Sequence, residues 1–307
     1  MPARFHNRKF RIVLLMGCLL VSAQAHSASM RALVVAGLGG EEDYELQFQR
    51  HATAAADQLR EVTDDVTLLL GETADRAAVQ MALDEIFQRT RADDTLVLLF
   101  VGHGTYDGER FRFNVPGPDF SAQELALWLE PARARHQLIV VTGSSSGAVL
   151  EPLERDGRTV ITATKSGEER NATVFGRFFS AALEDDAADI NKDRTITAQE
   201  AFRYAADGVE QFYAANNEMA TEHPRSSGPE PVMVLARLAT ESFDPALAYL
   251  YDRREAIEVD IAILRAAKAN YSTGDYFAEL QRLLLDLAAV ENQLASPMVA
   301  DPGKATP

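Results

Sequence analysis

The segment HQLIVVTGSSSGAVLEPL, His136 to Leu153, decides how the rest of the chain is read. An unbroken apolar run, Leu138 to Val141, ends in a turn made only of Thr, Gly and Ser. A helix-compatible run, Ala148 to Leu153, follows. A strand that is apolar at every position is buried on both faces, which points to a parallel sheet covered by helices. In such sheets chemistry gathers beyond the carboxyl ends of the strands. Three serines, Ser144, Ser145 and Ser146, stand at that end.

The same alternation extends outward in both directions. Arg31 to Ala36, Val66 to Leu70, Thr95 to Val101 and Arg158 to Thr164 read as strands. Tyr44 to Val62 and Arg76 to Arg89 carry apolar residues at helical spacing, and Ser121 opens a helix to Glu130 as a good N-cap. FRFNV, from Phe111, reads as a short edge strand. The expected fold is therefore α/β: a mostly parallel sheet with helices on both faces, over residues 30–240. Beyond Ser242 the apolar residues fall three, four or seven apart, which predicts a helical hairpin over 243–295. The tail 296–307 is expected to be disordered.

The first residues read as an address rather than as structure. Arg4, Arg8, Lys9 and Arg11 precede an apolar run, Ile12 to Ala23, and Ala23-Gln24-Ala25 is a small-x-small cleavage signal. The expectation is a secretory signal over 1–25, export to a bacterial periplasm and no membrane span after cleavage. An uncleaved anchor and a lipoprotein acylated at Cys18 are the alternatives. Met16 and the apolar run continuing past Cys18 disfavour the lipoprotein. The signal takes four positive charges with it, so a formal charge of −16 becomes −20. Such a chain does not suit nucleic acid or anionic membrane surfaces. Cys18 is the only cysteine, so the cleaved chain has neither disulfide nor thiol, and a thiolate mechanism is excluded by composition.

In LLFVGHGTYDG a hydrophobic strand delivers His103 between two glycines, which lets the backbone turn and leaves an imidazole open to a cleft. Joined to the serine turn, this places a base and a hydroxyl at one sheet edge. Three marks, AGLGGEEDYELQFQRHATAA, GHGTYDG and SSSGA, occur here in order and spacing. With them the chain resembles the caspase-like peptidases, and most closely their legumain-type branch, over roughly Arg31 to Leu238. The resemblance implies that His103 is the catalytic histidine and that the Gly104 N–H is an oxyanion donor. It implies that Arg50 is an S1-pocket arginine favouring an acidic or amide P1 side chain. The family's nucleophilic cysteine falls on Ser144, with Ser146-Gly147 matching the serine-glycine that follows it. Ser145 joins Arg50 among the substrate-binding candidates.

The departure lies at the nucleophile. A thiol with a pKa of about 8.5 is partly ionised near neutrality, whereas a serine hydroxyl needs a base pressed against it during attack. Caspase-like sites hold His and Cys relatively far apart and rely on the thiolate, so serine there predicts a degenerate site that binds a peptide or protein. The rival expectation is a hydrolase with Ser144 acylated and His103 as base.

A third expectation rests on DINKDRTITAQE. Asp189, Asn191, Asp193, Thr197 and Glu200 occupy positions 1, 3, 5, 9 and 12 of a calcium-loop spacing, with Thr195 lending its carbonyl. Arg194 stands where the sharp turn favours glycine, and must take positive φ. No cofactor is required by the peptidase-like reading. Ca²⁺ is the one candidate ion, and a Ca²⁺-responsive module is the corresponding function.

Overall fold

The computed structural model describes residues 29–229, 232–238, 249, 250, 253, 254, 257, 260, 261, 264, 265, 268 and 271–295. The expected signal over 1–25 and the tail 296–307 lie outside the described residues, as does much of the first arm of the expected hairpin. Among the described residues no helix is long and apolar enough to cross a membrane.

The chain divides into two compact units. The first is built on a six-stranded sheet. Its strands are β1 (Met30–Ala36), β2 (Val66–Leu69), β3 (Thr95–Val101), β7 (His136–Val141), β8 (Arg158–Thr162) and β10 (Arg225–Ser227), in the order β10-β8-β7-β3-β1-β2. Every pairing is parallel except that of the edge strand β10 with β8. The register sets Ala36 beside Val101, and Phe100 beside Val141. The carboxyl ends of β1, β3 and β7 are thereby level. β10 is the strand that sequence patterning misses: Arg225-Ser226-Ser227 is exposed throughout and carries no apolar signal.

Helices cover both faces. α1 (Glu42–Arg60) packs against β1 and β2 and against α5 (Phe175–Ala182), which packs in turn on α6 (Ala198–Asn216). α2 (Arg76–Arg89), α3 (Ala122–Trp128) and α4 (Leu150–Leu153) share a core with Leu33, Val35, Leu98, Phe100, Ile139 and Val141 of the sheet. α3 begins where the sequence expects, at a Ser121–Glu124 capping box, in which each side chain satisfies the other's backbone N–H. Ala148 to Leu153 is less regular than expected: a 3₁₀ turn, Ser146–Val149, precedes a single turn of α4.

FRFNV is not an edge strand of the main sheet. Phe111–Phe113 is β5, the middle strand of a small antiparallel sheet with β4 (Gly104–Tyr106) and β6 (Phe120–Ser121). Its two phenylalanines point into the core. Phe113 meets Phe100 and Phe120 with ring centroids 5.4 and 5.6 Å apart. Such aromatic pairs each add about 1 kcal/mol beyond area burial. This pull on two alternate residues takes the segment off the sheet edge and places it beneath the histidine loop. Two further short strands, β9 (Thr195–Thr197) and β11 (Val234–Arg237), pair as a separate ribbon.

In the second unit the helix α7 (Thr273–Ala295) sets Tyr276, Leu283, Val290 and Leu294 into one buried cluster with Leu250, Ile257, Ile261 and Leu264. Leu280 and Leu287 pack against this cluster, and Leu284 is exposed.

Candidate active site

The turns after β1, β3 and β7 meet backbone to backbone. A Cβ built on Gly143 would lie 2.3 Å from the Gly102 carbonyl oxygen and 3.0 Å from the Gly104 nitrogen. One built on Gly104 would lie 2.3 Å from the Phe111 ring and 2.4 Å from the Ser144 carbonyl oxygen. Glycine is needed at both positions because the histidine and serine turns pass closer than any side chain permits.

His103 leaves β3 half-buried. Its ring is held edge-on by two rings one helical turn apart on α1, Tyr44 and Phe48, each with its centroid 4.8 Å away. Burial lowers the imidazole pKa, while Glu41 and the Gly39 main chain pull it the other way. The net direction is toward a neutral ring. Its neighbours are two aromatic rings, the Gly39 main chain and the Glu41 charge.

The serine turn is buried: Ser144 is 5 % exposed and Ser145 is 1 % exposed. Among the described residues no hydrogen bond joins His103 to Ser144 or Ser145. Ser145 has φ of 58°, in the left-handed region, and its buried hydroxyl has no hydrogen-bond partner. Ser146 is committed elsewhere: its Oγ lies 3.3 Å from Thr164 Oγ1 and accepts the Thr164 N–H at 3.2 Å. Gly147 donates its N–H to Thr164 Oγ1 at 2.8 Å.

The cover over this turn comes from residues outside the sequence motifs. The Ser145 N–H donates to the Glu169 carbonyl at 2.7 Å. The Glu169 carboxylate accepts the backbone N–H groups of Lys165 (2.9 Å) and His223 (3.1 Å). It also lies 2.5 Å from His223 Nδ1 and 3.2 Å from Lys165 Nζ. The residue before His223, Glu222, is buried and accepts the N–H groups of Val174 (2.7 Å) and Phe175 (3.2 Å) at the start of α5. Burial pushes its carboxyl up to about 7, with a smaller push from the Glu169 charge against three opposing hydrogen bonds. The segment Lys165–Arg170 is thus fastened over the serines by contacts 54 residues apart in sequence. Such a pairing has no local signal.

Arg50 lies in the third turn of α1, which begins at Glu42. It stands about 200° of helical rotation beyond Phe48, so it does not share the face that holds His103. It is exposed and makes no ion pair among the described residues. Gly104 is buried within β4, against the serine turn.

In the Asp-rich loop, Asp193 Oδ1 accepts the Thr195 N–H (2.8 Å) and hydroxyl (2.6 Å), and Asn191 Oδ1 accepts the Asp193 N–H (2.9 Å). Arg194 takes φ of 64°, as its position demands. Glu200 accepts the Thr197 N–H and hydroxyl, closing a capping box on α6, and accepts the Ile190 N–H at 3.2 Å. Asp189 is buried. Among the described residues no three His, Cys, Asp or Glu side chains converge as metal ligands. As folded, the oxygens of Asn191, Asp193 and Glu200 serve turn and cap.

Fold and site together define an α/β protein whose histidine and serine turns gather at the carboxyl edge of a mostly parallel sheet. The family model of the Peptidase C13 family matches residues 46–225, a span that holds both His103 and Ser144, and the chain belongs to that family. No curated protein matches it. Among solved structures, caspase-1 from Spodoptera frugiperda is similar at a TM-score of 0.47 and 8 % identity, over 69 % of this chain and 94 % of that one. A protein from Geobacter sulfurreducens matches at 0.46 and 10 % identity, over 66 % and 94 %. The Drosophila initiator caspase Dronc matches at 0.40 and 8 %, over 69 % and 82 %. The residues of the site carry the functional argument.

Proposed function

We propose that this chain is an exported, legumain-like member of the Peptidase C13 family that has lost its nucleophile and holds a peptide or protein segment instead of cutting it. One observation carries the reading: the residue at the nucleophile position is a buried serine with no hydrogen bond to His103. A serine hydroxyl depends on a base within hydrogen-bond reach and an acid orienting that base. Here the imidazole is packed against Tyr44 and Phe48, and its pKa is lowered by burial. The basic leader with its small-x-small site supports export, and the one cysteine lies within that leader. No metal or cofactor enters this reading.

The test is a serine-directed fluorophosphonate probe on the purified protein, followed by intact-mass analysis. No labelling is expected, and no cleavage of fluorogenic peptides with Asn or Asp at P1. Stoichiometric labelling that disappears in Ser144→Ala would overturn the reading in favour of a Ser144–His103 hydrolase.

A further inference from the structure

Arg158, the first residue of β8, lies at the amino edge of the sheet, the end opposite the serine turn, and is 4 % exposed. Two of its guanidinium nitrogens are used. Nε donates to Gln137 Oε1 at 2.9 Å and Nη1 to the Leu153 carbonyl at 3.0 Å. Gln137 is itself fixed, because its Nε2 donates to the Ala134 carbonyl at 2.9 Å. Nη2 is buried and has no hydrogen-bond partner.

No carboxylate pairs with Arg158 among the described residues, and the charge that acts on it is another arginine, Arg155. Burial first, and Arg155 second, lower its pKa to about 10, so it stays cationic at neutral pH. Buried arginines are almost always paired, since a desolvated charge is costly without a counter-ion. Here the fold supplies two carbonyl-type acceptors and no anion.

Arg158 and Arg155 line a groove of about 440 Å³ between α3 and α4. Ala126, Leu127 and Pro152 form an apolar wall, and Leu127 is 61 % exposed there. Glu130 and Glu154 stand exposed on the rim.

We propose that this groove binds a monocarboxylate bearing an apolar group, its carboxylate against Arg155 and Arg158 and its apolar part on Ala126, Leu127 and Pro152. A planar carboxylate matches a guanidinium that has spare N–H donors. The rim glutamates oppose polyanions such as phosphate esters, which selects a single negative charge. A free short-chain acid and the C-terminus of a peptide ending in an apolar residue share this chemistry. The site rests on residues at the opposite edge of the sheet from Ser144, so it stands or falls independently of the function proposed above.

The experiment is calorimetric titration of the full-length protein with 4-methylpentanoate, with acetyl-Ala-Ala-Leu bearing a free C-terminus, and with the same peptide amidated. Inorganic phosphate is the polyanion control. Saturable binding of at least one carboxylate is expected, with the amide weaker by about tenfold or more, the worth of one charge-assisted hydrogen bond. Tighter binding of the peptide assigns the site to peptide C-termini; equal or tighter binding of 4-methylpentanoate assigns it to free acids. Arg155→Gln, at an exposed position, should weaken binding by about tenfold with an unchanged melting temperature. Arg158→Gln serves as a second variant if it folds. Absence of saturable binding to the wild type, equal affinity for the amide, equal affinity in Arg155→Gln, or phosphate binding more tightly than both carboxylates would each overturn the proposal.

Discussion

Glu222→Gln should change how stability depends on pH. The Glu222 carboxyl is 1 % exposed. Burial dominates its titration: the Val174 and Phe175 N–H groups and the Tyr213 hydroxyl favour the ionised form, yet the pKa rises from 4.5 to about 7. A carboxyl with a higher pKa folded than unfolded binds its proton more tightly in the native state. Its contribution is therefore complete below about pH 4.5, falls as pH rises to about 7, and stays level above. A shift of 2.5 units, at about 1.4 kcal/mol each, makes the loss about 3 kcal/mol. Glutamine does not titrate. Urea unfolding of wild type and variant at intervals from pH 4.5 to 8 should show the wild type losing about 3 kcal/mol relative to the variant. The difference cancels the other carboxylates, such as Asp94 and Glu124, whose pKa values are lowered and which lose stability in acid. Glu169→Gln should shrink the loss, because it removes a like charge that raises Glu222. A difference that does not vary with pH would refute the reasoning. A wild type that gains stability relative to the variant as pH rises would mean that the hydrogen bonds at the start of α5 outweigh burial.

Two further outcomes follow from the serine turn. Gly143→Ala puts a methyl 2.3 Å from the Gly102 carbonyl oxygen, so it should cost about 3 kcal/mol, read as a fall in the urea midpoint. A wild-type midpoint would mean that the histidine and serine turns are not in close contact. Ser145→Gly removes a left-handed residue and an unpartnered hydroxyl at once. It should raise stability by about 1–2 kcal/mol after the added flexibility of the unfolded chain is counted, and a lower melting temperature would show that the Ser145 hydroxyl is satisfied.

The amino-acid sequence by itself determined the layered sheet. Runs such as Thr95 to Val101 and Leu138 to Val141 are apolar at every position, and only a sheet covered on both faces buries them so. It also located His103 and Ser144 at one sheet edge, because that follows from strand direction alone. Composition placed the one cysteine, Cys18, 126 positions before Ser144. Tertiary structure decided what surrounds these residues there. Whether a histidine serves as a base depends on what surrounds its ring, and Tyr44 and Phe48 lie more than 50 positions upstream. The closure of the serine turn by Glu169 and His223, the exposed edge strand β10 and the orphan nitrogen of Arg158 are likewise products of long-range packing. Periodicity reports which face of an element is buried, but not which distant polar group it meets, because a hydrogen bond between loops leaves no repeat in either.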